Sequence, residues 1–181
     1  MHVSIWCRRG ASFLAFVGLF PACNTSSTLP GTSEGTFAVV GTLGTNSCGA
    51  SLGATSPWDF NAEVSKDGTT VYLQSTSDTN LLTGTLSGAA ATLTSVVTSN
   101  VGGSADAGTT GPCNLTQTTT YTVTFDAADS PTTFTGSASY TYSVATTVST
   151  STDCSGQLAA SGGAYATLPC TASYAVTAKK K

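Results

Sequence analysis

From residue 36 onward, the chain alternates between apolar and hydroxyl-bearing residues with a period of two, and this pattern constrains the fold more than any other feature. It is clearest at 118–125, where Val123 and Phe125 alternate with threonines, and at 134–144. Alternation of this kind is typical of an antiparallel sheet with one buried face. The abundance of threonine also favours strands. The pattern therefore predicts an all-β protein.

Segments with this alternation follow one another along the chain and are separated by links rich in Gly, Ser, Asn and Asp. The eight segments lie at 37–43, 58–65, 71–73, 82–86, 93–97, 118–125, 134–144 and 174–176. Lys-Asp-Gly at 66–68 and Ser-Gly at 87–88 are signals for hairpin turns. Consecutive strands joined in this way predict an eight-stranded antiparallel up-and-down meander, closed into a barrel. A two-sheet β-sandwich is the alternative.

The N-terminal segment has the composition of a secretory signal peptide. Arg8 and Arg9 precede an apolar run at 11–20, and Ala22 is followed by Cys23. A charged start, a short apolar run and a small residue before the cleavage point define such signals. The run has about half of the ~20 residues that a membrane-spanning helix needs. We therefore expect residues 1–22 to be removed on export.

Residues 19–23, Leu-Phe-Pro-Ala-Cys, resemble the lipobox of bacterial lipoprotein precursors. In that family the chain is cut just before a cysteine whose thiol carries diacylglycerol. The resemblance implies that Cys23 is lipidated and anchors the protein to a membrane of the bacterial cell envelope, on its periplasmic or surface face. The expected organisation is a signal peptide at 1–22, the lipidated cysteine and a polar tether at 23–35, and an all-β head at 36–181. The head resembles uncharacterised all-β lipoproteins of Gram-negative bacteria, which implies no particular activity.

Cysteines in the predicted head fall in links that share one end of the meander. They are Cys48, Cys113, Cys154 and Cys170. An even number of cysteines in an exported protein predicts two disulfides. Closure of the barrel favours Cys48 with Cys170 and Cys113 with Cys154, whereas Cys154 with Cys170 and Cys48 with Cys113 remains the alternative. An outer-membrane barrel would also alternate, but it fits poorly with a lipobox-like cysteine and four further cysteines in links.

Residue types and charge exclude several classes of function. Only 8% of the residues are charged and the net charge is −3, so no basic surface is available for nucleic acid. The single histidine, His2, lies in the predicted signal peptide, and there is no Cys-x-x-Cys spacing. Histidine-dependent catalysis and zinc binding are therefore not expected. We predict a non-enzymatic protein without metal or cofactor, with the membrane as partner through the lipid on Cys23.

The one candidate binding site in the sequence is aromatic. Trp58, Tyr142 and Tyr174 are expected to point inward near the cysteine-bearing end of the barrel. Small barrels such as lipocalins hold ligands at such a mouth, although the same rings could simply fill the core. The sequence thus favours a non-enzymatic envelope or surface module, acting through its outer faces and loops. A calycin-like binder of a small apolar ligand is the alternative.

Overall fold

The computed structural model describes residues 29–101, 113–146 and 153–181. The predicted signal peptide, Cys23 and the first part of the predicted tether lie outside these ranges. Within them, eight strands pair antiparallel in chain order, and the last strand pairs with the first, so that the sheet closes into a barrel. The predicted all-β meander and its closure are confirmed, and the sandwich is excluded.

The strands cover all eight predicted segments and extend most of them. Their bounds are β1 Thr32–Asn46, β2 Trp58–Asp67, β3 Thr70–Ser75, β4 Leu81–Ser87, β5 Ala90–Asn100, β6 Asn114–Phe125, β7 Thr133–Val144 and β8 Cys170–Lys180. Short 3-10 turns lie at Ala50–Leu52, Ser155–Gln157 and Ala159–Ser161. None of the helical segments in the described ranges has the length and hydropathy needed to cross a lipid bilayer.

The first strand begins earlier than the sequence indicates, at Thr32 rather than at residue 36. A bulge between Ser33 and Gly35 shifts the register against β2, and Gly35 has a φ of +114°. The sequence predicts tether here because the stretch is polar, and the bulge leaves it without the two-residue period that would indicate a strand. The chain just before β1 is also attached to the barrel, because the Ser65 hydroxyl donates to the Pro30 carbonyl at 2.7 Å.

The two ends of the barrel differ in the lengths of the links that join the strands there, and we name each end by its links. The tight-turn end has two-residue hairpin loops at 68–69 and 88–89, and the link 126–132. Gly68 and Gly88 open these loops with φ of +58° and +62°, a backbone conformation that favours glycine. The cysteine-bearing end has the links at 47–57, 76–80, 101–113 and 145–169.

Inward-facing side chains fill the barrel at the tight-turn end. The ring of Phe134 lies 5.5 Å from the rings of both Phe37 and Phe125, measured between centroids. Phe37 and Phe134 are completely buried. The cavity beside Phe125 has a volume of only about 10 Å³, which is at the lower limit for a single water molecule. This end of the barrel is therefore closed.

Polar contacts hold the link 126–132 across the closed end. The Lys66 ammonium donates to the Asp129 carboxylate, which raises the pKa of Lys66 and lowers that of Asp129. Asp126 accepts hydrogen bonds from the Thr132 hydroxyl and from the backbone amides of Thr132 and Thr133, the amides at 2.9 and 3.1 Å. These bonds, led by the Thr132 hydroxyl, lower the pKa of Asp126 to about 2. Both carboxylates thus have structural partners in this link.

Disulfides join Cys48 to Cys170 and Cys113 to Cys154. The first connects the link after β1 to the start of β8, at the seam where the barrel closes, as the favoured pairing requires. The second lies in a small apolar cluster with Leu115, beside the main core. All four cysteines are buried. Disulfides of this kind are typical of proteins outside the cytoplasm.

Candidate functional site

Aromatic rings meet just inside the cysteine-bearing end because β1 has a glycine where they converge. Gly41 pairs with Trp58 of β2 and lies one pleat away from Tyr174 of β8. A Cβ at Gly41 would lie 3.1 Å from the Trp58 ring and 3.4 Å from the Tyr174 ring. Because glycine leaves this space free, the rings of Trp58 and Tyr174 come together with their centroids 5.1 Å apart.

Trp58 is the centre of this aromatic cluster. Its ring stacks on Phe60, two residues later on the same face of β2, with centroids 4.3 Å apart. The edge contact with Tyr140 of β7 has a centroid separation of 5.6 Å. Tyr140 in turn makes edge contacts with Tyr174 and with Tyr121 of β6. We call Trp58, Phe60, Tyr121, Tyr140 and Tyr174 the aromatic cluster.

Two phenols of the cluster form a hydrogen-bonded pair. The hydroxyl oxygens of Tyr121 and Tyr140 lie 2.7 Å apart, and one hydroxyl donates to the other. The pKa of Tyr121 is raised to about 12, mainly by burial; the hydrogen bond to Tyr140 lowers this pKa and the Asp78 carboxylate raises it. Burial, followed by the neighbouring Tyr121, raises the pKa of Tyr140 well above its usual value. Both phenols are therefore neutral at physiological pH.

One cavity lies between the aromatic cluster and the β3–β4 link, and it has a volume of about 150 Å³. We call it the Asp78 cavity. Its apolar wall consists of Trp58, Phe60, Leu73, Leu82, Tyr121 and Tyr140. Its polar wall consists of Ser75, Ser77, Asp78, Asn80, Gln117 and Thr119. An apolar body with a polar group at one edge would match these two walls.

A second cavity, of about 220 Å³, opens on the other side of Trp58 and Tyr140. We call it the Tyr142 cavity. It is bounded by Leu52, Gly53, Ala54, Thr55, Trp58, Tyr140, Tyr142, Ala172 and Tyr174. None of the described residues in its wall carries a charge. Trp58 and Tyr140 therefore form a partition between a cavity with a carboxylate and a cavity without one.

The three residues singled out in the sequence all line the Tyr142 cavity. Trp58, Tyr142 and Tyr174 come from β2, β7 and β8 and meet at the cysteine-bearing end, where the alternation placed them. Tyr142 also packs on Tyr165 of the 145–169 link, with ring centroids 5.3 Å apart. Burial raises the pKa of Tyr142 and of Tyr174. Whether these rings bind a ligand remains a prediction.

Sequence reasoning missed the Asp78 cavity. Tyr140 lies two residues before Tyr142 on the same strand face, so the two-residue period already placed it beside the predicted site. Tyr121 joins it through the register of β6 and β7, in which Thr119 pairs with Tyr140. Asp78 lies in a link without periodicity, and nothing in its sequence neighbourhood indicates that it faces a cavity.

In the described ranges, no three His, Cys, Asp or Glu side chains lie close enough together to hold a metal ion. The site offers stacking surfaces, phenol hydroxyls and one carboxylate, which are groups suited to holding a guest. Comparison of the chain with protein-family models, curated proteins and solved structures found no match.

Proposed function

We propose that this protein is a ligand-binding module whose barrel holds a small guest with an apolar body at the cysteine-bearing end. The observation that carries the proposal is the pair of cavities, of about 150 and 220 Å³, on either side of Trp58 and Tyr140. Both cavities open to solvent at this end. At the tight-turn end, by contrast, the cavity beside Phe125 measures only about 10 Å³.

The size of the cavities limits the guest. Pockets for drug-sized ligands measure roughly 300–1,000 Å³, whereas a cavity of about 150 Å³ suffices for a benzene-sized molecule. Each cavity therefore fits a single ring or a short branched chain. A longer guest would have to displace the partition formed by Trp58 and Tyr140.

The setting we propose is the cell envelope, with the protein anchored through a lipid on Cys23. The disulfides support an extracytoplasmic location. Cys23 precedes β1, which starts at the tight-turn end. An anchor at Cys23 would therefore be on the side of the closed end, and the mouth would open on the side away from the membrane.

The binding proposal is tested with the mature protein and neutral aromatic probes such as benzene, toluene and p-xylene. Because Trp58 contributes to both cavities, a guest in either one should change its emission in a saturable way. A probe at about 100 times its Kd should add about 2.7 kcal/mol to the free energy of unfolding. Absence of both the saturable emission change and the increase in melting temperature would contradict the proposal and leave an envelope module without a ligand.

A pair of variants shows which cavity is occupied. Ala172→Leu reduces the space of the Tyr142 cavity, whereas Ala175→Leu adds the same atoms on the exposed face of the same strand. Loss of binding only in Ala172→Leu would place the guest in the Tyr142 cavity. Binding that survives in both variants, with Trp58 still responding, would place it in the Asp78 cavity.

The anchor is tested separately by Cys23→Ser. This variant should leave the membrane fraction or accumulate as an uncut precursor, and the wild-type N-terminal peptide should carry the mass of a lipid. A Cys23→Ser protein that fractionates like the wild type, together with a wild-type N-terminus free of lipid, would refute the anchor.

A further inference from the structure

Basic residues are distributed unevenly between the two ends of the barrel. After Arg9, all of them belong to the tight-turn end: Lys66, Lys179, Lys180 and Lys181. The sequence between Lys66 and Lys179 contains no Lys, Arg or His. The acidic residues described at the cysteine-bearing end are Asp59, Asp78 and Asp153. The described part of the mouth therefore has negative charges without a positive partner, and such a field attracts cations.

Asp78 brings one of these charges to a cavity. Its backbone amide donates to the Ser75 carbonyl at 3.2 Å, and its Oδ1 accepts from the Asn80 amide at 3.1 Å. The second oxygen, Oδ2, accepts from Asn80 Nδ2 at 3.1 Å. Asp78 is exposed to solvent at the edge of the cavity, and these bonds hold its carboxylate there while using only part of its accepting capacity. Among the described residues, the ion pairs belong to Lys66, at the opposite end.

Aromatic rings share a cavity with this carboxylate. Trp58, Tyr121 and Tyr140 line the same cavity as Asp78, and the Asp78 charge raises the pKa of the Tyr121 phenol. Aromatic rings attract cations, and recognition of quaternary ammonium groups by aromatic side chains is a common use of this interaction. A carboxylate and aromatic rings around one small cavity thus both favour a positively charged guest.

We propose that the Asp78 cavity binds small organic cations, in which an ammonium group on an apolar body lies between the Asp78 carboxylate and the aromatic cluster. This inference rests on the proposed binding function and names its ligand class. Anionic guests such as fatty acids are disfavoured, because their carboxylate would meet Asp78 without a basic residue to neutralise it.

Three single-ring probes of similar size test the charge preference: benzylammonium, its neutral isostere ethylbenzene, and the benzoate anion. Binding is measured by titration of Trp58 emission and by calorimetry. We expect the cation to bind at least about tenfold more tightly than the neutral isostere, a difference of about 1.4 kcal/mol. The anion should bind least. Added salt should weaken binding of the cation and leave the neutral probe almost unaffected.

Asp78→Asn is the diagnostic variant. The asparagine oxygen can still accept from the Asn80 amide, so the link keeps its local hydrogen bond while the charge is removed. Its affinity for benzylammonium should fall about tenfold, with little change for ethylbenzene. Asp59→Asn removes the same charge from the exposed outer face of β2 at the same end, and it should bind like the wild type.

The outcomes separate this inference from the proposed function. Equal or tighter binding of the neutral isostere, or cation binding that neither Asp78→Asn nor salt weakens, would overturn the cation preference and leave the binding function standing. The salt series uses the wild-type protein, so it decides the question even if Asp78→Asn folds poorly. No response of Trp58 to any of the three probes would overturn the cation inference, and together with no response to the aromatic probes it would overturn the binding function as well.

Discussion

Replacing Gly136 with alanine tests how closely β6 and β7 approach each other in the barrel wall. Gly136 lies within β7 and pairs with Val123 of β6. A Cβ at this position would lie 2.0 Å from the carbonyl oxygen of Thr122 and 2.8 Å from the Cα of Val123. Since real Cβ atoms essentially never approach closer than 3.0 Å, the two strands would have to move apart.

The cost of this movement follows from the atoms involved. Both are backbone atoms of a hydrogen-bonded strand, so no side-chain rotation can relieve the contact. Overpacking costs about 1–3 kcal/mol, and the lower entropy of an unfolded chain with alanine returns about 0.4–1 kcal/mol. We expect a net loss of about 1.3 kcal/mol in the free energy of unfolding. At roughly 2–4 °C per kcal/mol for a domain of this size, Tm should fall by about 3–5 °C.

The assay is thermal unfolding followed by circular dichroism, with Gly44→Ala as the matched control. A Cβ at Gly44 would meet the hydroxyl and carbonyl oxygens of Ser173 at 3.3 and 3.4 Å, more than 1 Å farther than the closest contact at Gly136. The control should melt within about 2 °C of the wild type. A Gly136→Ala protein that melts as high as Gly44→Ala would refute the close approach of β6 and β7.

Two further predictions concern pH and the disulfides. The folded pKa of Asp126 is about 2, below its ordinary value of 3.8, so its stabilising effect is present above pH 4 and is lost as pH falls from about 4 to 2. Asp126→Asn should therefore lower Tm at neutral pH and flatten its decline in acid, and parallel declines in both proteins would contradict this. Replacing Cys48 and Cys170 with serine opens a loop with a sequence separation of 122, against 41 for the other bridge. Urea unfolding should show a loss of about 5 kcal/mol for the longer loop and about 4 for the shorter, and the reverse order would show that loop length does not govern these bridges.

Much of the fold could be predicted because one physical constraint acts along most of the chain. A strand with one buried face must alternate, so the two-residue period identified β6 and β7 and the inward positions of Trp58, Tyr142 and Tyr174. The tight turns at 68–69 and 88–89 require their flanking strands to pair, and strands that follow one another in sequence are neighbours in most sheets. Eight consecutive strands favoured a closed barrel. Alternate links of a meander lie at the same end, so the four cysteines could be placed together.

The remaining features depend on register and on links, which carry no periodic signal. The hydroxyls of Tyr121 and Tyr140 meet because Thr119 pairs with Tyr140. A shift of two residues in the register of β6 against β7 would leave every side chain on the same face of the sheet, but it would move the two hydroxyls apart. Asp78 reaches its cavity through the hydrogen bonds of a short link. The start of β1 was missed because the bulge at Gly35 breaks the alternation there.

The confinement of lysines to one end also bears on how the protein withstands proteases. Trypsin-like enzymes cut after Lys or Arg, and the chain from Asp67 to Ala178 contains neither. A protease of this class therefore finds no cleavage point there, even when the barrel opens. Between the start of β1 and Ala178, Lys66 is the one residue after which such an enzyme could cut, and it lies beside the exposed hairpin at 68–69. A cut there would still leave the two pieces joined, because the Cys48–Cys170 disulfide spans it.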